Sequence, residues 1–149
     1  MDQSILELDK QLCFRLYSVS RKMTKAYQPF LEKYQLTYPQ YIVMLGVFED
    51  GSIDFKKLSK KINLKTGTLT PIVQKLESLG YIKRQKNVDD FRKMNVVLTE
   101  KGKELNMNIV DVPIGLAQKL QLSINMYETL VKELDDLDDI LTDILESKK

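Results

Sequence analysis

The sequence contains no histidine and only one cysteine among its 149 residues. These absences exclude zinc fingers, cysteine–histidine nucleophile pairs and imidazole acid–base catalysis. An enzyme would have to work with carboxylates, lysines or tyrosines alone, so a non-enzymatic function without a cofactor is predicted. No apolar run approaches the roughly 20 residues that a membrane-spanning helix needs, and the N-terminus lacks the basic-then-apolar pattern of a signal peptide. A cytoplasmic protein is expected.

The charges are segregated along the chain, although they nearly cancel to +2 overall. Residues 1–53 carry six Lys/Arg and six Asp/Glu, and residues 104–149 carry four against ten. Residues 54–103 carry thirteen against five, a net charge of +8. Lysines that merely keep a protein soluble give a mixed surface rather than a polarised one. The basic segment therefore favours a phosphate-bearing partner, whose counterions it would release on binding.

Two helices are predicted at the start of this basic segment. Asp54 is a candidate cap for a short helix over residues 55–62, with apolar side chains inward and lysines outward. A second helix follows the link at residues 63–65 and ends at Gly80.

The start of the second helix is left open by the sequence. Thr66 could cap it with Pro71 tolerated near the first turn, or Thr70 could cap it with Pro71 at the first helical position. In either case the inward face consists of Leu69, Ile72, Val73, Leu76 and Leu79. The polar residues on the other face, free to contact a phosphate-bearing partner, are Thr66, Thr68, Thr70, Gln74 and Lys75.

Two short β-type runs, at residues 81–85 and 95–98, follow the glycine. Residues 86–94 between them are polar and charged, and form a wing. The order helix, turn, helix, strand, loop, strand is that of a winged helix-turn-helix, which usually binds duplex DNA. The predicted fold class is mainly α with a small β-hairpin wing.

Helices are also predicted on the N-terminal side of this unit. Apolar residues from Ile5 to Met23 fall three or four apart along one long helix, which Pro29 bends or restarts. Thr37 and Pro39 begin a central buried helix that runs to Phe48.

On the C-terminal side, Thr99 caps a helix that Pro113 and Gly115 should kink, and a final helix begins near Ser123. The last helix has a leucine stripe opposite a cluster of aspartates, for which a solvated face is favoured over a metal site. Both terminal helices are more apolar than an isolated winged helix needs. A symmetric dimer is expected, with recognition helices about 34 Å apart on a pseudo-palindromic operator.

Cys13 lies on the N-terminal helix, with Tyr17 one turn further along the same face. One interpretation is a small buried hydrophobe in a helix seam. The other is a sensing thiol, which requires a stabilised thiolate, access to oxidant and hydrogen-bond donors. Without histidine, tyrosine hydroxyls are the donors that the sequence offers.

With these residues in place, the chain resembles the MarR family of winged-helix regulators. Within that family it resembles the one-cysteine, organic-hydroperoxide-sensing OhrR-like subgroup, which is close to SarZ-like and MgrA-like regulators. The resemblance covers nearly the whole chain. Its most specific blocks are residues 11–14 with Tyr17, 23–29, 36–41, 67–71, and 90–92 with 98–99 beyond.

The resemblance implies a redox switch. Cys13 would be the peroxide-reactive thiol, hydrogen-bonded by Tyr27 and Tyr38 across the dimer interface, with Tyr17 nearby. Oxidation would give a sulfenic acid and then a mixed disulfide with a low-molecular-weight thiol, or over-oxidation. The adduct would repack the dimer, release the operator and derepress the target gene.

The resemblance also implies how DNA is bound: the second helix enters the major groove and Arg92 of the wing reaches the minor groove. The predicted DNA-binding residues are Lys65, Thr66, Thr68, Thr70, Gln74, Lys75, Lys86, Arg92 and Lys93. Residue 65 departs from the family, because relatives often have an aspartate there that can pair with the wing arginine. The single domain over residues 1–149 comprises dimerisation helices at 1–35 and 104–149 and a DNA-binding region at 36–103.

Two other functions remain open at this point. A regulator of the same family could respond to a small aromatic or phenolic ligand instead of a peroxide. From a different class, a thiol peroxidase would need turnover and a resolving route, and the basic segment argues against it.

Overall fold

The computed structural model describes residues 3–148, so Met1, Asp2 and Lys149, at the ends of the predicted domain, lie outside the described residues. The chain divides after Leu116 into two compact units. The described residues form seven α-helices and a three-stranded sheet. The elements are α1 Leu12–Leu31, α2 Tyr38–Phe48, β1 Ser52–Asp54, α3 Phe55–Lys61, α4 Thr66–Ser78, β2 Ile82–Lys86, β3 Met94–Leu98, α5 Glu100–Asn108, α6 Asp111–Leu120 and α7 Ile124–Glu146.

Helix α1 is shorter than the predicted N-terminal helix. The prediction that the helix starts at Ile5 was wrong. Residues 3–10 instead form two 3₁₀ turns, and Gln11 is extended, with φ −84° and ψ 115°. A 3₁₀ turn has three residues per turn, so the spacing of Ile5 and Leu8 suits it as well as an α-helix. Pro29 does not restart the helix, which runs unbroken to Leu31.

Helix α2 begins as predicted, with a capping box. The Thr37 hydroxyl accepts from the Gln40 amide at 3.5 Å, and the Gln40 side chain accepts from the Thr37 amide at 2.9 Å. Pro39 lies in the first turn, where its missing N–H is not needed. The helix is central to the core, and its fully buried side chains are Val43, Met44 and Val47.

Helices α3 and α4 form the helix-turn-helix. Asp54 caps α3 as predicted, accepting from the Lys57 amide at 3.1 Å. Both predicted caps of α4 are wrong, because Lys65 is the N-cap and makes no side-chain cap. Thr66 is already helical, and the Thr70 hydroxyl donates to the Thr66 carbonyl oxygen at 2.8 Å instead. Gly80 ends the helix as predicted, in a left-handed conformation with φ +81°.

The sheet confirms the hairpin and adds a strand that the sequence did not reveal. Strands β2 and β3 pair antiparallel, and β1 pairs with the other edge of β3, so that Ile53 lies opposite Val96. Strand β1 has only three residues, too few for an alternating pattern to be recognised. Its pairing with β3 makes it a strand.

The helix after the wing breaks earlier than predicted. Thr99 caps α5, accepting from the Gly102 amide at 3.1 Å, but the helix ends at Asn108. Helix α6 starts at Asp111, so Pro113 lies in its first turn and causes no kink. Gly115 is needed for close packing, since a Cβ there would overlap the ring of Phe30.

The second unit contains α7. It begins where predicted, near Ser123, and the Ser123 hydroxyl caps it by accepting from the Met126 amide at 3.1 Å. No residue of α7 is buried, and its leucines are exposed, including Leu134 at 51% and Leu145 at 66%, except for the half-buried Leu137. Across residues 3–148, no helix has the length and apolar character to cross a membrane.

Candidate DNA-binding surface and redox site

Helix α4 buries one face and exposes the other, as its sequence predicts. Leu69, Val73 and Leu76 are buried in the core. The four exposed polar side chains of this helix that were predicted to bind DNA are Thr66, Thr68, Gln74 and Lys75. Thr70 is half-buried, and its hydroxyl proton is used by the Thr66 carbonyl oxygen. The exposed face of α4 is thus polar, basic and free of carboxylates.

Lys65 places a positive charge at the start of α4, where the helix dipole is already positive. This arrangement costs a few tenths of a kcal/mol relative to an acidic or neutral cap. The same charge adds to the attraction that a helix N-terminus has for phosphate oxygens. The side chain of Lys65 is exposed, so it is available for such a contact.

Strand β2 is attached to α4 by one ion pair. The Arg84 guanidinium contacts Glu77 through Nε at 3.0 Å and through Nη2 at 2.8 Å. The Arg84 amide donates to the same carboxylate at 3.0 Å. This amide and the guanidinium lower the pKa of Glu77. The pair holds the wing strands beside α4.

Replacing Glu77 by glutamine tests this attachment. The pKa of Glu77 is lower in the folded state than in the unfolded state. The ionised carboxylate therefore stabilises the fold at pH values above its unfolded-state pKa, and this stabilisation is lost as the pH falls through its folded-state pKa. We expect Glu77→Gln to lower the free energy of unfolding by about 1 kcal/mol at pH 7, with the difference shrinking below about pH 4. Urea unfolding of the variant and of wild type, at pH 7 and again below about pH 4, measures this difference in the free energy of unfolding.

Glu100 offers a matched control, because it pairs with Lys103 at 2.8 Å but is 90% exposed. Glu100→Gln is expected to leave the urea midpoint nearly unchanged. Equal effects of the two substitutions would contradict a specific role for Glu77.

The wing is held together by its own polar side chains. The Asn87 side-chain oxygen accepts from the amides of Asp89 and Asp90 at 2.9 and 3.1 Å. The Asp90 carboxylate accepts from the Arg92 amide and from Arg92 Nε, each at 3.1 Å. Arg92 therefore has its carboxylate partner within the wing, at Asp90. The family resemblance had suggested residue 65 as the position of such a partner. The D-x-R spacing is the sequence signal for this contact.

The predicted DNA-binding residues all lie in the first unit, and each is at least partly exposed. Lys86 ends β2 opposite Met94, and Lys93 precedes β3, so both flank the base of the wing. Arg92 is 92% exposed despite its ion pair.

Cys13 is a free thiol at the second residue of α1, and it is exposed in the single chain. Tyr17, one turn further on, is also exposed. Arg21 lies over its ring, 5.4 Å from the centroid, and donates to its hydroxyl at 3.4 Å. Neither residue is buried in a helix seam within this chain.

Tyr27 lies far from Cys13 along the same helix. The fourteen intervening steps of 1.5 Å place the two residues about 21 Å apart. Tyr27 instead packs on Tyr38, with ring centroids 4.8 Å apart. One chain therefore does not bring the predicted thiol and its predicted donors together.

Tyr41 completes an aromatic cluster that sequence reasoning did not assign to the site. Its ring centroid is 5.7 Å from that of Tyr27 and 6.2 Å from that of Tyr38. Burial raises the pKa of Tyr38, and it raises that of Tyr41 to about 12. Both hydroxyls stay protonated at pH 7 and can donate hydrogen bonds. The sequence signal that could have identified Tyr41 is its spacing from Tyr38, three residues or one helical turn apart at the start of a helix.

A polar cluster joins the segment after α1 to the end of α5, the start of α6 and Tyr81, the residue before β2. The Tyr34 hydroxyl lies 2.9 Å from both the Asn108 carbonyl oxygen and Asp111 Oδ1. Lys33 forms an ion pair with Asp111. The Tyr81 hydroxyl donates to the Tyr34 carbonyl oxygen at 3.0 Å. Sequence reasoning missed this cluster because its members are far apart in the chain.

The fold and this surface define a winged helix-turn-helix transcriptional regulator. Residues 25–109 match the family described as transcriptional regulator SarA/Rot. The chain belongs to that family.

Individual relatives agree with this assignment. The chain is 40% identical over 117 residues to the organic hydroperoxide resistance transcriptional regulator of Bacillus subtilis, covering 76% of this chain and 80% of the relative. It is 34% identical over 129 residues to the regulator SarZ of Staphylococcus epidermidis, covering 87% of each. The structure of reduced AbfR bound to DNA superposes with a TM-score of 0.84 at 27% identity, covering 97% and 99% of the two chains. The predicted MarR-type regulator, its fold class and its non-enzymatic class are confirmed.

Proposed function

We propose that the protein is a dimeric, DNA-binding repressor that releases its operator when an organic hydroperoxide oxidises Cys13. The observation that carries the proposal is the layout of α1, with an exposed thiol at Cys13 and, about 21 Å further along the helix, Tyr27 packed on Tyr38. If two α1 helices cross antiparallel near Ser20, each thiol meets the tyrosines of the second copy. The exposed apolar side chains Leu12, Leu16 and Val19 provide the contact surface for that crossing.

The DNA-binding half of the proposal rests on charge and shape. The nine predicted residues on α4, at its N-cap and around the wing give one chain a polar, basic surface. A twofold axis would present two such surfaces to successive major grooves, about 34 Å apart. The SarA/Rot family match and the relatives' names support regulation of transcription. A cytoplasmic location is part of this proposal.

The chemistry at Cys13 balances with two reactants. The thiolate attacks the peroxide, so that an S–O bond forms, the O–O bond breaks and the alkoxide leaves as an alcohol after taking a proton. The sulfur is oxidised to a sulfenic acid. A low-molecular-weight thiol then attacks that sulfur and water leaves, giving a mixed disulfide. Because the chain has no second cysteine, it cannot form an intramolecular disulfide.

Release of DNA follows from the size of the adduct. Tyr27 and Tyr38 would donate to the thiolate, with Tyr17 nearby, in a space that suits one sulfur atom. A mixed disulfide does not fit there, so the two copies repack. A small change in the spacing of the two α4 helices is enough to lose the fit to two successive grooves.

Selection of bound sequences from random duplex DNA, with reduced and with oxidised protein, tests the proposal. We expect reduced protein to enrich a pseudo-palindrome, and protein treated with an organic hydroperoxide and a small thiol to enrich none. Enrichment of the same sequence by both forms would contradict a redox switch. Because residue 65 is a lysine where relatives often have an aspartate, the operator sequence cannot be inferred from theirs and should be determined for this chain.

A further inference from the structure

The tip of the wing carries apolar side chains that no part of the described chain covers. Phe91 is 73% exposed and Val88 is 80% exposed, in a loop that is otherwise polar or charged. Exposed phenylalanine is unfavourable in water, and burying it in a partner recovers that free energy. The position of the two side chains therefore indicates a contact surface.

The loop that carries them is ordered in advance. The Asn87 amide donates to the Lys93 carbonyl oxygen at 3.0 Å, and the Lys93 amide donates to the Asp90 carbonyl oxygen at 2.9 Å. The Asn87 and Asp90 side chains add the bonds described above. Since the loop needs little further ordering on binding, a contact made by its tip keeps most of its free energy.

The charges around the tip specify an anionic partner. Residues 83–93 contain five Lys/Arg and two Asp, a net charge of +3. One of the two carboxylates, that of Asp90, is already bound to Arg92. An apolar tip with cationic flanks suits a polyanion that also has apolar surface. Duplex DNA has both properties, because its phosphates are anionic and the C–H edges of its deoxyribose sugars are apolar.

The groove widths favour the minor groove for a side chain that projects from the tip. The minor groove is about 6 Å wide against about 12 Å for the major groove. A single projecting side chain fits the narrow groove, whereas α4 needs the wide one. The Arg84–Glu77 pair holds the wing beside α4. With α4 in a major groove, as proposed above, the wing would lie over the neighbouring minor groove.

We infer that Phe91, together with Val88 of the same loop, packs against the deoxyribose walls of the minor groove next to Arg92. This contact rests on the DNA binding proposed above. It adds affinity that does not depend on salt, because it buries apolar surface rather than displacing counterions. It also makes affinity depend on the groove width outside the region that α4 reads.

The test uses the full-length reduced protein and one selected duplex, prepared at two lengths. The complete duplex includes the flanking minor grooves, and the shortened duplex ends before them. Fluorescence anisotropy is measured at several salt concentrations. Phe91→Ala is expected to bind the complete duplex about tenfold more weakly with an unchanged salt slope. Phe91→Leu is expected to recover most of the loss. On the shortened duplex, Phe91→Ala and wild type are expected to bind equally.

Two variants serve as controls. Arg92→Ala is expected to reduce the salt slope on the complete duplex, by about one for a single lost phosphate contact. Met107, which is 73% exposed on α5, matches Phe91 in exposure, and Met107→Ala is expected to leave both affinities unchanged. Urea unfolding of each variant checks that the fold is kept.

Equal binding of the complete duplex by Phe91→Ala and wild type would overturn the inference. So would an equal loss on both duplex lengths, since the tip cannot contact DNA that is absent. Failure of wild type to bind any selected duplex is a separate result, which overturns the proposed function and this inference with it.

Discussion

Replacing Cys13 by serine is expected to leave operator binding unchanged and to abolish its loss on treatment with organic hydroperoxide. The serine hydroxyl is similar in size and occupies an exposed position in α1, so the fold is unaffected. It does not ionise at neutral pH and does not attack peroxides. No other thiol exists in the chain to replace it. Anisotropy of a labelled operator, with and without cumene hydroperoxide, measures the response.

A relocated thiol is the control for this experiment. Ser147 is an exposed serine after α7, and Ser147→Cys in the Cys13→Ser protein restores one free thiol at a different place. We expect no release of operator from this double variant, because the response requires a thiol held by tyrosine donors.

Two outcomes would contradict the redox proposal. If Cys13→Ser still released operator on treatment with peroxide, the thiol would not be the sensor, and a response to a small aromatic ligand would become the better explanation. If wild type consumed peroxide catalytically with a thiol reductant and bound no operator, the protein would be a thiol peroxidase.

Replacing Gly102 by alanine is expected to be the most damaging single-methyl substitution in the first unit. A Cβ at residue 102 would overlap the carbonyl oxygen of Tyr81 and lie 3.1 Å from the Leu98 side chain. The Tyr81 carbonyl oxygen cannot move freely, because it accepts from the Thr99 amide and hydroxyl, each at 3.1 Å. We expect the free energy of unfolding to fall by about 3 kcal/mol, a large part of the stability of a small domain. Urea unfolding measures the change.

Gly67 is the matched control, since it also lies in a helix but has no heavy atom within 4 Å of where a Cβ would be. Gly67→Ala is expected to raise the free energy of unfolding by about 0.5 kcal/mol, through a less flexible unfolded chain. A Gly102→Ala protein as stable as wild type would contradict the close approach of α5 to the end of β2.

Local features of the fold were predictable because their causes are local. Thr37, Asp54 and Thr99 cap helices where the sequence places them, since a cap bonds to an amide only three residues away. The last helix also begins near Ser123, as predicted. Gly80 ends α4 because it adopts a positive φ. The two wing strands were found within a residue of their observed positions.

Features that depend on distant partners were not predictable in the same way. Strand β1 exists because it pairs with β3, more than forty residues later. The start of α4 was ambiguous because two threonines satisfy the same capping rule, and neither is used. The break before α6 coincides with the contacts that Asp111 makes with Lys33 and Tyr34.

The same division holds for the candidate site. The order of the predicted elements and the charge segregation identified a basic winged helix, whereas the role of Cys13 as a reactive thiol was implied only by the family resemblance. The assignment of Cys13, the tyrosines and the nine DNA-binding residues to their roles stays a prediction, as do the domain limits at residues 35 and 104. The structure added that Tyr41 packs with Tyr27 and Tyr38, and that Asp90 binds Arg92.

By itself the sequence determined the class of protein, because capping residues, hydrophobic periodicity and local charge density act over a few residues. Only the tertiary structure decided that the rings of Tyr27, Tyr38 and Tyr41 pack together and that Phe91 projects from a closed, hydrogen-bonded wing. The physical reason is that distance and exposure depend on where the whole chain packs, and no local pattern records them.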